Sequence, residues 1–171
     1  MIVLRLVASS RRPLGWWEPE ARFKTRRSGT VIALAVTMPD LSNSALQKAS
    51  DLLSRAEYQE AAAVLAPVFE ADPNNTPALR MLGEAMHQLG QHEQALALLA
   101  DSISSGGVDV GTLCRISDIL KELQRDEESA DFIMLAAENC PTDKNLMGRA
   151  VGVLTQLGRT EDAMALLAPK A

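Results

Sequence analysis

Aromatic side chains make up only 4% of the 171 residues, so a core built from this chain has to be mostly leucine, alanine, valine and methionine. Cysteines number two, Cys114 and Cys140, 26 residues apart. That spacing excludes a Cys-x-x-Cys pair and a disulfide framework, and the default is two free thiols in a reducing compartment. Histidines are also only two, His87 and His92. No apolar run approaches the ~18–20 residues of a membrane span. Gly106-Gly107 lacks the Lys and Ser/Thr of a phosphate loop. Positive charge is scarce in the body of the chain. Residues 42–171 hold ten basic and nineteen acidic groups, a net of −9, against +4 for residues 1–41. A −9 body repels phosphate, which argues against a nucleic-acid partner.

What is present is periodicity. Ala61, Ala95, Ser129 and Ala163 stand 34 residues apart. The columns Leu65, Leu99, Ile133, Leu167 and Leu52, Met86, Leu120, Leu154 keep the same phase, as do Ala45, Leu79, Leu113 and Met147. Pro73, Gly107 and Pro141 punctuate the ends. Inside a unit, Leu79, Leu82, Gly83 and Met86 follow the i, i+3, i+4, i+7 pattern of one buried helical face. Gly90 suits a left-handed helix end. A second helix is expected over Gln91–Ala100, with Ala95, Leu96 and Leu99 inward. Gly83 and Ala95 are small enough for the two helices to approach closely. Pro73 stops one pair and Asn75 caps the next. Ser104-Ser105-Gly106-Gly107 predicts a weak junction between the second and third units.

A 34-residue helix–turn–helix unit with Leu79-x-x-Leu82-Gly83-x-x-Met86, then Ala95-x-x-x-Leu99, resembles the tetratricopeptide repeat. Tyr58, Glu60, Ala61 and Asp72-Pro73-Asn74-Asn75 fit the same pattern. The resemblance implies an all-α, right-handed solenoid of about four units, at 42–75, 76–109, 110–143 and a short fourth at 144–171. It also implies a concave surface, lined by the first helix of each unit, that takes peptides or helices.

Placed on that surface, the second unit offers Arg80, Met81, Glu84 and His87, the third Arg115, Asp118 and Lys121, and the fourth Arg149. Guanidinium groups suit bidentate capture of a carboxylate, which points to an acidic segment or chain terminus. The competing expectation is that Arg80 and Arg115 pair with Glu84 and Asp118 on their own helices, as solvated i,i+3 or i,i+4 pairs. Some tetratricopeptide proteins clamp a terminal carboxylate with Lys and Asn in the first unit. Leu46 and Ser50 stand at those places here, so that clamp is not expected.

No catalytic constellation emerges. Cys114 has no histidine near it in sequence to activate it. His87 and His92, five apart with Gly90 between, are expected to point different ways as surface residues, so no metal is predicted. No cofactor is expected either. Four readings stay open for residues 1–41, which contain "RRPLGWWEPEARFKTRR". They are a transit-type leader, a twin-arginine-like export signal, a basic arm for membrane or nucleic acid, and an upstream extension with Met38 as the true start, which is preferred. Beside them stands the plain expectation of a basic, disordered segment, because Pro, Gly and scattered Arg bury little.

The sequence therefore predicts a non-enzymatic, cytoplasmic scaffold or adaptor with a protein or peptide partner. The alternatives are the repeat module of a larger transferase or assembly and secretion machine, or a small chaperone. No further helix is expected to cover the apolar edge of the fourth unit before Pro169-Lys170-Ala171, which leaves three expectations open: a partner on that edge, a second copy of the chain on it, or a short last helix polar enough outside.

Overall fold

The computed structural model describes residues 38–168. The sequence readings for residues 1–37 and for the terminal Pro169–Ala171 lie outside those residues. Eight α-helices and no strand occur among the described residues. They are α1 (Met38–Ser54), α2 (Tyr58–Ala71), α3 (Thr76–Gln88), α4 (His92–Gly106), α5 (Val110–Glu122), α6 (Asp126–Asn139), α7 (Lys144–Gln156) and α8 (Thr160–Leu167). Consecutive helices pack as hairpins α1/α2, α3/α4, α5/α6 and α7/α8, and the hairpins stack through α2 on α3, α4 on α5 and α6 on α7. The result is an all-α helical-repeat solenoid. Its first helices α3, α5 and α7 start 34 residues apart, and so do its second helices.

Local chemistry repeats with the same period. Asn75, Asp109 and Asp143 cap α3, α5 and α7, each side-chain oxygen accepting a backbone N–H of the first turn. Within each hairpin the turn needs a left-handed residue, taken by Ala56 (φ 61°), Gly90 (77°), Gln124 (58°) and Gly158 (73°). The amide after each turn residue then bonds back five residues, as from Gln91 to Met86 and from Arg125 to Leu120, both at 2.8 Å. Two of the four turns thus hold a strained non-glycine residue. Ala56→Gly and Gln124→Gly are each expected to raise stability by about 0.5–1 kcal/mol, since the left-handed penalty of about 1–2 kcal/mol is offset only in part by glycine's unfolded-state entropy. Urea denaturation checks this.

The inward columns are buried, except that Ala45 and Met147, at the two ends of theirs, are half-buried. Leu65, Leu79, Leu99, Leu113, Ile133 and Leu154 are fully enclosed, and Phe132 is the one fully buried aromatic among the described residues. Leu167 departs from its column. It is 63% exposed because no described helix lies beyond α8, and Met164 three residues earlier is 64% exposed.

The small residues make the close helix approach, with one refinement. A Cβ on Gly83 would stand 2.7 Å from Leu99 Cγ but 3.4 Å from the Ala95 carbonyl, so Leu99 is what fills the space. In the third hairpin the equivalent pair is Ser117 and Ser129. Both are buried, each hydroxyl donates to the other's backbone carbonyl at 3.0 and 2.8 Å, and the two oxygens are 2.9 Å apart.

The helix expected to stop at Ala100 runs to Gly106. Ser102 and Ser104 donate their hydroxyls to the Leu99 and Ala100 carbonyls, and Ile103 is buried, so this polar stretch stays helical. The second and third units nonetheless meet mainly through α4 and α5, with less packing than joins the first and second.

Candidate functional site

The side chains singled out in sequence lie on the first helices α3, α5 and α7. Arg80, Glu84 and His87 are one helical turn apart along α3, Arg115, Asp118 and Lys121 are similarly placed on α5, and Arg149 sits on α7. Their pairing differs from the same-helix expectation. Arg115 reaches back from α5 to Glu84 on α3 at 2.8 Å. Arg149 reaches back from α7 to Asp118 on α5. Arg80 reaches forward to Asp109, the cap of α5, at 3.2 Å. Arg115 and Arg149 therefore bridge two repeats, and Arg80 holds the end of its own repeat at the start of α5, rather than each stabilising its own helix. The physical reason is stacking. Neighbouring first helices put side chains 29 to 31 positions apart face to face, and the paired carboxylate lies there.

All six side chains stay substantially exposed, between 32% and 49%. Exposed pairs of this kind contribute about 0.2–1 kcal/mol each, so an incoming carboxylate can exchange with the internal one at small cost. Lys121 is exposed and makes no ion pair among the described residues. Met81 and Cys114 are half-buried beside these charges, packed on the core below. Burial pushes the Cys114 thiol up. The Arg149 charge opposes this, and Asp118, Asp143 and Asp109 reinforce it. A raised thiol disfavours the thiolate, the form in which a cysteine attacks or binds metal.

Asp109 does two jobs. It accepts from the Thr112 amide at 3.0 Å and the Thr112 hydroxyl at 2.9 Å while pairing with Arg80. Burial works against its charge, but the Thr112 bonds and Arg80 outweigh that and hold the carboxyl below its ordinary range. Asp109→Ala is expected to cost about 1–2 kcal/mol through the lost cap. Because the folded value is the lower one, this contribution is complete above the unfolded value of about 3.9 and is lost as pH falls through the folded value. The wild-type and Asp109→Ala stabilities, followed by urea denaturation, should therefore differ at pH 7 and converge below pH ~4.

A second ladder, not anticipated from sequence, runs along the second helices. Arg125 and Arg159 stand at equivalent places before α6 and α8. Arg125 grips Glu128 with two bonds of 2.7 Å, and Arg159 bonds Asp162 at 2.7 Å and Asp131 of the preceding unit at 2.6 Å. The 34-residue spacing of two arginines, each with an acid three residues on, was the available signal.

The two histidines also differ from expectation. They do not point apart. The turn at Gly90 folds α4 back against α3, so residues five apart across it come side by side, and their Nδ1 atoms are 3.3 Å apart.

Comparison with known proteins bears on the fold. A family model described as tetratricopeptide repeat matches residues 52–106. That segment carries the tetratricopeptide repeat. Solved tetratricopeptide structures extend the likeness beyond the matched segment. MamA of AMB-1 superposes with a TM-score of 0.61 at 19% identity, over 74% of this chain and 69% of that one. The Yersinia enterocolitica type III secretion chaperone SycD, in complex with a peptide of the translocator YopD, gives 0.63 at 18%, over 71% and 95%. YrrB, described as a tetratricopeptide protein with an unusual peptide-binding site, gives 0.63 at 16%, over 71% and 63%. No curated protein matches. At these identities the shared property is the repeat fold. Among the described residues no helix is long and apolar enough to cross a membrane.

Proposed function

We propose that this chain is a non-catalytic, cytoplasmic interaction scaffold. Its repeat module, residues 42–171, holds an acidic peptide or helical segment against the face formed by α3, α5 and α7. One observation carries the reading. Three successive first helices each present a half-exposed arginine, and each arginine is already held by a carboxylate on, or capping, the neighbouring first helix. The internal acids stand where a ligand's acids would sit, and exchanging them is cheap at this exposure. Arg80, Arg115, Arg149 and Lys121 supply the charge. Glu84 and Asp118 act as internal competitors, and Met81 is the apolar anchor.

The test is fluorescence polarisation with labelled peptides of equal length that are acidic, neutral or basic, against the full chain. Acidic peptides are expected to bind with an affinity that falls as salt rises. Equal binding of all three sets contradicts the reading.

A second reading, a small chaperone, is favoured by the 95% coverage of SycD, a protein solved with a bound translocator peptide. On that reading apolar peptides bind best and are kept from sedimenting. Self-association is a further part of the proposal, motivated by exposed Met164 and Leu167. Sedimentation equilibrium of wild type and Met164→Glu/Leu167→Glu tests it. A mass that stays monomeric in both contradicts it.

A further inference from the structure

His87 closes α3, His92 opens α4 and Glu122 closes α5, so three helices from two repeats bring one ligand-type side chain each to a single point. The facing atoms are His87 Nδ1, His92 Nδ1 and Glu122 Oε2. Their separations are 3.3, 3.5 and 3.6 Å. A tetrahedral zinc ion with bonds of about 2.0–2.1 Å sets its ligand atoms about 3.3–3.4 Å apart. The triangle already has nearly that edge on every side, so an ion can seat over it with shifts of a few tenths of an ångström. The imidazole planes are tilted by 56°, which lets the two nitrogens converge instead of stacking.

Donor type and electrostatics agree with this geometry. Two imidazoles and a carboxylate suit a borderline divalent ion such as zinc better than the oxygen-seeking magnesium or calcium. His87 and Glu122 lie in the last turns of their helices, where unpaired carbonyls favour a cation. The side chains are 18%, 29% and 52% exposed, so the ion has a path in and a fourth position open to water.

We infer that His87, His92 and Glu122 form a three-ligand site for a zinc-class divalent ion. The ion would staple the second repeat to the third. That junction is where the apolar stacking is thin and where Arg80–Asp109, Arg115–Glu84 and Arg125–Glu93 already provide polar bridges. The ion site shares His87 with the face singled out in sequence but uses none of its arginines, and peptide binding by the metal-free chain is measured separately.

The experiment uses the full chain without a purification tag, stripped of metal and titrated with zinc chloride in a calorimeter. One equivalent is expected to bind saturably. At a hundredfold excess of free zinc over Kd, Tm is expected to rise by about 5–10 °C. His92→Ala and Glu122→Gln each remove a direct ligand, so the affinity should fall at least about 100-fold, beyond what loss of a supporting outer group costs. Both variants keep the wild-type helical circular dichroism if the residues act as ligands on an already folded surface. Cobalt substitution should give tetrahedral d–d absorption with no thiolate charge-transfer band. The inference is overturned by an absence of saturable binding, by affinity unchanged in both variants, or by a thiolate band placing the ion on Cys114 or Cys140.

Discussion

Leu99→Ala is expected to lower stability by about 2–5 kcal/mol, the range for emptying a buried leucine site. Leu99 is fully buried and packs against the bare backbone of Gly83. The sharper result is in the double variant. Alone, Gly83→Ala adds a methyl that meets Leu99 at 2.7–2.8 Å. The overpacking, about 1–3 kcal/mol, exceeds the roughly 1 kcal/mol gained in helix propensity. With Leu99 already shortened, the new methyl has room and partly fills the cavity. Gly83→Ala should therefore be destabilising in the wild type and stabilising in the Leu99→Ala background. Guanidinium denaturation of the four proteins closes the cycle. Additive effects would mean that Gly83 and Leu99 are not partners in the close helix approach.

The second large effect lies at the end of the same hairpin. Gly106 ends α4 against Thr76, the first residue of α3, and a Cβ there would meet three Thr76 atoms at 2.4 to 2.9 Å. One of these is Thr76 Cβ, which rotation of the side chain cannot move aside. Gly107 follows at φ 86°, ψ 179°, a region that essentially only glycine occupies. Overpacking at the first position costs about 1–3 kcal/mol and backbone strain at the second about 1–3 kcal/mol. Gly106→Ala/Gly107→Ala is accordingly expected to lose about 2–6 kcal/mol. Gly148→Ala on exposed α7, where a Cβ meets nothing within 4 Å, should instead gain about 0.5–1 kcal/mol. Denaturant midpoints distinguish these opposite signs.

The repeats were legible in sequence because helix–turn–helix packing is local. The left-handed turn at Gly90, the Asn75 cap and the inward leucines all follow from residues close in the chain. The pairings of the site were less legible, because they depend on how one unit stacks on the next. Reading Arg115 against its own helix gives Asp118 as partner, but stacking delivers Glu84. The signal was nonetheless in the sequence. An acid stands 31 residues before an arginine twice, at Glu84/Arg115 and Asp118/Arg149. The histidines failed for a similar reason. Five residues along one helix do separate two side chains, but His87 and His92 lie on either side of a chain reversal, and Glu122 comes from the next repeat.

The most direct test of the proposed groove uses variants with opposite expected signs. An acidic peptide is titrated against wild type, against Arg115→Gln/Arg149→Gln, and against Glu84→Gln/Asp118→Asn. The first variant removes the cations that the ligand would use. The second removes only their internal competitors and leaves two arginines unpaired. The account predicts weaker binding for the arginine variant and binding tighter than wild type for the carboxylate variant, by about threefold or more if each internal pair is worth several tenths of a kcal/mol. Equal affinity across all three proteins would contradict it, and would make the arginine ladder a brace between repeats and nothing more.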